Sequence, residues 1–244
     1  MVVLLSVAAG CVDAASYLGL GHVFTANMTG NTVLFGLSLG QADWQAVLRS
    51  SMALLGFILG VALGTLIAES DRDRHAVWPI TVTLTFVVEL IVLAAFALGF
   101  YLVGGAALTL ILLAAVAMGL QSTAVRRLGI PGVATTYITG TLTSVIERAI
   151  SRVYLVIYSA AMSDHGGERR SEQATTTSAR GLVLPADVWF AYAIGAVIAG
   201  VLEVRWPQGG LLPPVAIVAL VVVVSGLRFR RRGGDHERGP AEER

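Results

Sequence analysis

The sequence predicts an all-α membrane protein of about six transmembrane helices. They form two inverted three-helix repeats, each with a re-entrant or broken helix at a Thr-Gly motif. Three observations lead there: the composition, the placement of arginine, and an internal recurrence of short motifs. Of 244 residues, 55% are hydrophobic and only 14% charged, with a mean hydropathy of +0.75. Soluble domains carry about a quarter charged residues, so an ordinary soluble enzyme is excluded as the working expectation. All 17 basic residues are Arg, and the net charge is +1.

Six segments are long and apolar enough to cross a bilayer: 2–20, 44–68, 79–102, 106–124, 186–204 and 211–227. The first resembles a signal h-region, but no positive n-region precedes it and its apolar pattern continues past Cys11 to Leu20. It is therefore expected to stay as a membrane helix. Two further stretches are ambiguous. Residues 29–40 are short, and 138–161 carry Glu147, Arg148 and Arg152, which are costly at membrane depth.

Arginine sets the topology. Six Arg lie between Arg228 and Arg244, which places that tail in the cytoplasm by the positive-inside tendency. Counting back with neither ambiguous stretch crossing, only Arg49 and Arg205 fall outside. If both crossed, Arg72, Arg74, Arg126, Arg127 and Arg205 would be outside, a poorer fit. Six spans with two re-entrant segments fit better; no Arg precedes Arg49, so charge leaves 29–40 open and the internal repeat decides it.

The motifs recur in order. Met28-Thr29-Gly30-Asn31-Thr32 reads against Ile138-Thr139-Gly140-Thr141-Leu142, each following a helix that begins near Gly10 or Gly119. Phe57-Ile58-Leu59-Gly60 parallels Tyr192-Ala193-Ile194-Gly195, and Trp78-Pro79 parallels Trp206-Pro207. Each half then holds three crossings, an odd number, so the second half is inverted, as in many secondary transporters. The expected domains are residues 1–104 and 105–228, the latter with a cytoplasmic loop at 163–185, followed by a disordered tail at 229–244.

The Thr-Gly elements are the candidate binding site. Thr and Asn cap helix starts, and Gly permits backbone shapes that other residues resist. A half-helix starting within the membrane offers unpaired amides and partial positive charge to a polar or anionic group. The residues in question are Asn27, Thr29, Gly30, Asn31, Gln121, Thr136, Thr139, Gly140 and Thr141. The bland alternative is a pair of surface caps with no ligand. Asp13 and Glu89 fall inside apolar spans, and a helix that keeps such a residue usually aims it at a cavity or partner. Both are candidate proton-coupling groups, Asp13 with Asn27, Asn31 or Gln121 as partner. The competing reading is a neutral carboxyl bonded between helices.

Gly56, Gly60 and Gly64, like Gly195 and Ala199, read as close helix packing. His22, His75, His165 and His236 lack partners at metal-ligand spacing, and no phosphate loop, nucleophile elbow or H-E-x-x-H element occurs. No cofactor, metal, nucleic-acid partner or enzymatic activity is expected.

Gly10-Cys11-Val12-Asp13-Ala14, Asn27-Met28-Thr29-Gly30-Asn31, Gly119-Leu120-Gln121 and 135–141 together resemble the YoaK-like family of bacterial membrane proteins, over residues 4–227. Cys11 stands where a bulkier residue is expected, and the 163–180 loop is longer than expected. The resemblance implies a polytopic inner-membrane protein and lends no activity, because the family is a domain of unknown function. The leading functional expectation is a secondary transporter of a small polar or anionic solute. A passive channel and a non-transport scaffold or lipid-handling protein are the alternatives.

Overall fold

The computed structural model describes residues 1–69, 80–103, 107–128, 138–162, 168–206 and 209–236. Its elements are helices: α1 (Val2–Gly19), α2 (Met28–Gly40), α3 (Trp44–Glu69), α4 (Ile80–Val103), α5 (Ala107–Arg127), α6 (Ile138–Met162), α7 (Glu168–Arg205) and α8 (Leu212–His236), with a 3-10 turn at Gly209–Leu211. Six stretches have the length and hydropathy to cross a bilayer: Val2–Gly19, Trp44–Glu69, Ile80–Leu102, Ala107–Arg127, Leu184–Arg205 and Gly209–Leu227. They coincide with the six segments expected from hydropathy. Helix α2 has 13 residues, about 20 Å at 1.5 Å per residue, which falls short of a hydrocarbon core of about 30 Å. Helix α6 is long enough at 25 residues but carries Glu147, Arg148 and Arg152 and is not among the six.

Two boundaries differ from expectation. Helix α7 begins at Glu168, inside the stretch read as a loop, and α8 runs to His236, inside the stretch read as a disordered tail. Both stretches are polar, but 168–180 is rich in Glu, Arg, Gln and Ala, which are good helix formers. Hydropathy registers only the polarity.

Helices α1 and α5 form the centre of the bundle, with most of their residues inside. Both are apolar nearly all round, as a helix surrounded by others must be. Helix α3 turns Ser50, Ala53, Gly56, Gly60, Gly64 and Ala68 inward, while Ile58, Leu63 and Leu66 stay exposed, as lipid-facing residues do. The small stripe lies against α5. A Cβ on Gly56 would come within 2.6 Å of the Leu112 carbonyl oxygen, and one on Gly64 within 2.9 Å of the Thr123 Cβ. Beyond them Arg127 pairs with Glu69 at 2.6 Å. The contacts advance together along both helices, so α3 and α5 run parallel.

At four glycines the α1–α7 seam repeats the backbone contacts of the α3–α5 seam. A Cβ on Gly119 would meet the Phe57 oxygen and the Val61 nitrogen, and one on Gly10 would meet the Tyr192 oxygen and the Ala196 nitrogen. Likewise Gly60 sits on the Val116 carbonyl and Gly195 on the Val7 carbonyl. Glycine is required at these four positions because backbone approaches backbone with no room for a side chain.

Helix directions follow from three further contacts. Gly19, at the end of α1, lies against the Phe100 ring near the end of α4, and a Cβ on Gly99 would lie 2.9 Å from the Leu110 Cδ2 near the start of α5. At the other end, Gln121 Nε2 donates to the Leu5 oxygen at 3.0 Å, joining the end of α5 to the start of α1. Helices α1 and α5 therefore run in opposite directions. Because α3 is parallel to α5, the chain leaves α1 and enters α3 on the same side of the bundle. The segment 20–43, which includes α2, lies between those two points.

Candidate functional site

Asp13 organises that segment. It sits six residues before the end of α1, about 9 Å along the axis, and is 2% exposed. Its Oδ1 accepts from the Thr25 amide at 2.7 Å and the Ala26 amide at 2.6 Å, and its Oδ2 from the Asn27 amide at 3.1 Å. The Tyr192 hydroxyl, from α7, also donates to Oδ2. After α1 the chain thus folds back to the level of Asp13 before α2 starts at Met28. As a carboxylate, Asp13 has four donors, and charge-assisted bonds of this kind are roughly twice as strong as neutral ones.

The rest of the turn is bonded to itself. Asn31 reads both backbone groups of Phe24, accepting from its amide at 3.0 Å and donating to its oxygen at 2.5 Å. Asn27 caps α2, its side chain accepting from the Gly30 amide at 3.2 Å. A Cβ on Gly30 would lie 2.9 Å from the Phe24 ring, which stacks on Tyr17 at 5.1 Å. The Ser16 and Thr25 hydroxyls meet at 3.3 Å, both fully buried. The group seated on the amides of this turn is the chain's own Asp13. It bonds the Asn27 backbone rather than the Asn27 or Asn31 side chain, and Gln121 donates to the Leu5 oxygen instead.

Thr29 is exposed at the start of α2. Thr139 is exposed and Gly140 half-buried in the first turn of α6. The Thr141 side chain and all of Thr136 lie outside the described residues. Helix α2 packs on α3, and α6 on α7; no extensive contact joins α2 to α6 among the described residues. The structure therefore brings Asn27, Gly30 and Asn31 together around the Asp13 turn, and leaves Thr139 and Gly140 apart from them.

Glu89 stands elsewhere. It is midway along α4, 0% exposed, on the face that also buries Thr85, Phe86, Leu93 and Phe96. Neither of its carboxyl oxygens has a hydrogen-bond partner among the described residues. A buried carboxyl without partners is expensive whichever form it takes, so Glu89 differs in kind from the saturated Asp13.

On the side where α1 ends, a cavity of about 170 Å³ is lined by His22, Ser38, Asp43, Arg49 and Ser50, among others. Gly21 has φ +84°, and a Cβ there would lie 2.9 Å from Arg49 Nε, so only glycine lets the turn close over the guanidinium. That Nε is buried and unpartnered among the described residues.

Tyr192 and Arg49 were not among the residues singled out for a site. Tyr192 did carry a signal: it opens the Tyr192–Gly195 motif that matches Phe57–Gly60, and it is the position where the two motifs differ by a hydroxyl.

The model of a family described as a protein of unknown function, DUF1275, matches residues 1–224. The chain belongs to the DUF1275 family. A curated relative, "UPF0700 transmembrane protein YoaK" of Bacillus subtilis (strain 168), is 35% identical over 227 residues, covering 93% of each chain. The expected YoaK-like membership is therefore correct, and the chain is a multi-pass membrane protein. No solved structure matches it.

Proposed function

We propose that this DUF1275 protein is a secondary transporter of a small polar or anionic solute, built from two inverted repeats. The observation that carries the proposal is the matched pair of seams, α1–α7 and α3–α5, in a bundle whose α1 and α5 run oppositely. Each half lends its first helix to the third helix of the other, as two copies related by an axis in the membrane plane would. Many transporters use this plan, with the two halves rocking about a central site.

The 20–43 segment is re-entrant in this reading: it leaves and rejoins the bundle on one side, with a turn pinned to Asp13 between. Irregular backbone at that depth is tolerated because Asp13 and Asn31 satisfy its amides. The Arg49 cavity forms the mouth on the outer side, where a guanidinium favours an anionic solute. Glu89, buried and without hydrogen-bond partners among the described residues, is the proton-coupling group, and Asp13 holds the turn. The carboxyl terminus and the Arg-rich helix ends face the cytoplasm of a bacterial inner membrane.

Substituted-cysteine labelling tests the topology. In a Cys11→Ser background, His22→Cys and Gln41→Cys, both at exposed positions, are expected to react with an impermeant thiol reagent from the same face. Labelling from opposite faces would make α2 a crossing element and remove the inversion. In proteoliposomes enclosing a pH-sensitive dye, a panel of small organic and inorganic anions should drive proton movement that Glu89→Gln abolishes. Solute uptake that is indifferent to the proton gradient would favour a passive channel. A specific observation favours the scaffold alternative: the seams are closed by backbone contact, and the Asp13 turn is bonded to itself. That reading gains if no solute in the panel moves while the fold is intact.

A further inference from the structure

We propose that the groove between α3 and α5, at the end carrying Arg126 and Arg127, binds the headgroup of an anionic phospholipid, independently of any transported solute. The groove encloses about 450 Å³, some fifteen water volumes at about 30 Å³ each, which suits a glycerophosphate better than a lone inorganic ion. Its lining is graded. Phe57, Val61 and Thr65 follow one face of α3 at four-residue intervals, and Ser122, Thr123, Arg126 and Arg127 close the other wall from α5. Apolar walls thus give way to hydroxyls and then to two guanidinium groups at the ends of two bilayer-length helices, where headgroups lie.

The sister seam shows why the space exists. Tyr192 precedes Gly195 by three residues, as Phe57 precedes Gly60, and Asp13 follows Gly10 by three, as Ser122 follows Gly119. At the α1–α7 seam this pair is joined by the Tyr192–Asp13 hydrogen bond. At the α3–α5 seam its counterparts are Phe57 and Ser122, and a phenyl ring has no hydroxyl with which to close the gap. Arg127 is held by Glu69, whereas Arg126 has no carboxylate partner among the described residues. Basic pockets between membrane helices on the cytoplasmic side are the sites at which anionic headgroups are recognised.

The test uses the full-length protein, delipidated in detergent and titrated with dioleoylphosphatidylglycerol or dioleoylphosphatidylcholine, with retained lipid read by native mass spectrometry. Phosphatidylglycerol should be retained in preference, and Arg126→Ala should weaken it about fivefold, the effect of roughly one arginine near an anionic surface. Glu69→Gln, which releases Arg127, should strengthen it; a purely structural ion pair predicts no gain. Thr65→Phe fills the groove from an exposed position without changing charge and should also weaken retention, so the outcome does not hang on one variant. Equal retention of phosphatidylcholine, or full retention in both Arg126→Ala and Thr65→Phe, would overturn the proposal. Displacement of phosphatidylglycerol by millimolar inorganic phosphate would overturn it too, because the site would then belong to a soluble anion.

Discussion

Replacing Asp13 with Ala strands the three amides of Thr25, Ala26 and Asn27, along with the Tyr192 hydroxyl. Thr25 and Ala26 are buried, at 0% and 2% exposure, so water cannot replace the lost acceptor there, whereas Asn27 is only half-buried. At about 1–3 kcal/mol per buried donor left unmatched, the two buried amides alone cost roughly 2–6 kcal/mol. For a chain of this size that corresponds to a fall in Tm of roughly 5–20 °C. Asp13→Asn keeps one oxygen for Thr25 and Ala26 but turns an NH2 toward the Asn27 amide, donor against donor, and should cost about 1–3 kcal/mol. Tyr192→Phe leaves all three amide bonds and should cost about 0.6 kcal/mol, with an upper bound near 1.7, as side-chain hydrogen bonds between membrane helices do. The expected order of damage is therefore Asp13→Ala, then Asp13→Asn, then Tyr192→Phe. Thermal unfolding followed with a thiol-reactive dye reads this directly, because Cys11 is the chain's single cysteine, is free and buried, and lies two residues from Asp13. An Asp13→Ala protein that melts within a degree of the parent, or a Tyr192→Phe protein that melts lowest, would refute the claim that this carboxylate holds the turn.

Two further predictions use the same assay. Gly10→Ala and Gly195→Ala each drive a methyl into a backbone carbonyl and should cost about 1–3 kcal/mol by overpacking, whereas Gly226→Ala meets nothing within 4 Å and should be neutral or stabilise by up to about 1 kcal/mol; equal effects at the three positions would mean that the seams are not closely packed. Asn31→Leu removes both hydrogen bonds to Phe24 and should cost about 2–4 kcal/mol, while Thr139→Val, at an exposed position, should stay within about 0.5 kcal/mol. If Thr139→Val proves as damaging as Asn31→Leu, the two Thr-Gly elements share a structural role that the present geometry does not give them.

Much of the fold was legible in the sequence because bilayer crossing depends on local quantities, namely length, apolarity and the rarity of charge. That is why the six segments coincide with the six bilayer-length stretches, while local quantities left 29–40 and 138–161 ambiguous. The glycines Gly56, Gly60 and Gly64 were readable as packing positions for a similar reason: spacing alone places them on one helix face. The extension of α7 back to Glu168 was missed because hydropathy does not register helix propensity in polar stretches.

The site was less legible. In sequence Asp13 and Glu89 are alike, two acids in two apolar spans, and the Thr-Gly turn reads as a vacant seat for an anion. Residue types and local spacing determined that this chain spans a membrane, that acids lie within it, and that the segment around Asn27 breaks the helix. Only the tertiary structure decided that Asp13 itself takes the amides of that turn, that Tyr192 reaches it from 179 residues away, and that Glu89 has no hydrogen-bond partner among the described residues. The physical reason is that crossing a bilayer is a property of one segment and its surroundings. Whether a polar atom is satisfied depends on which distant segment arrives beside it.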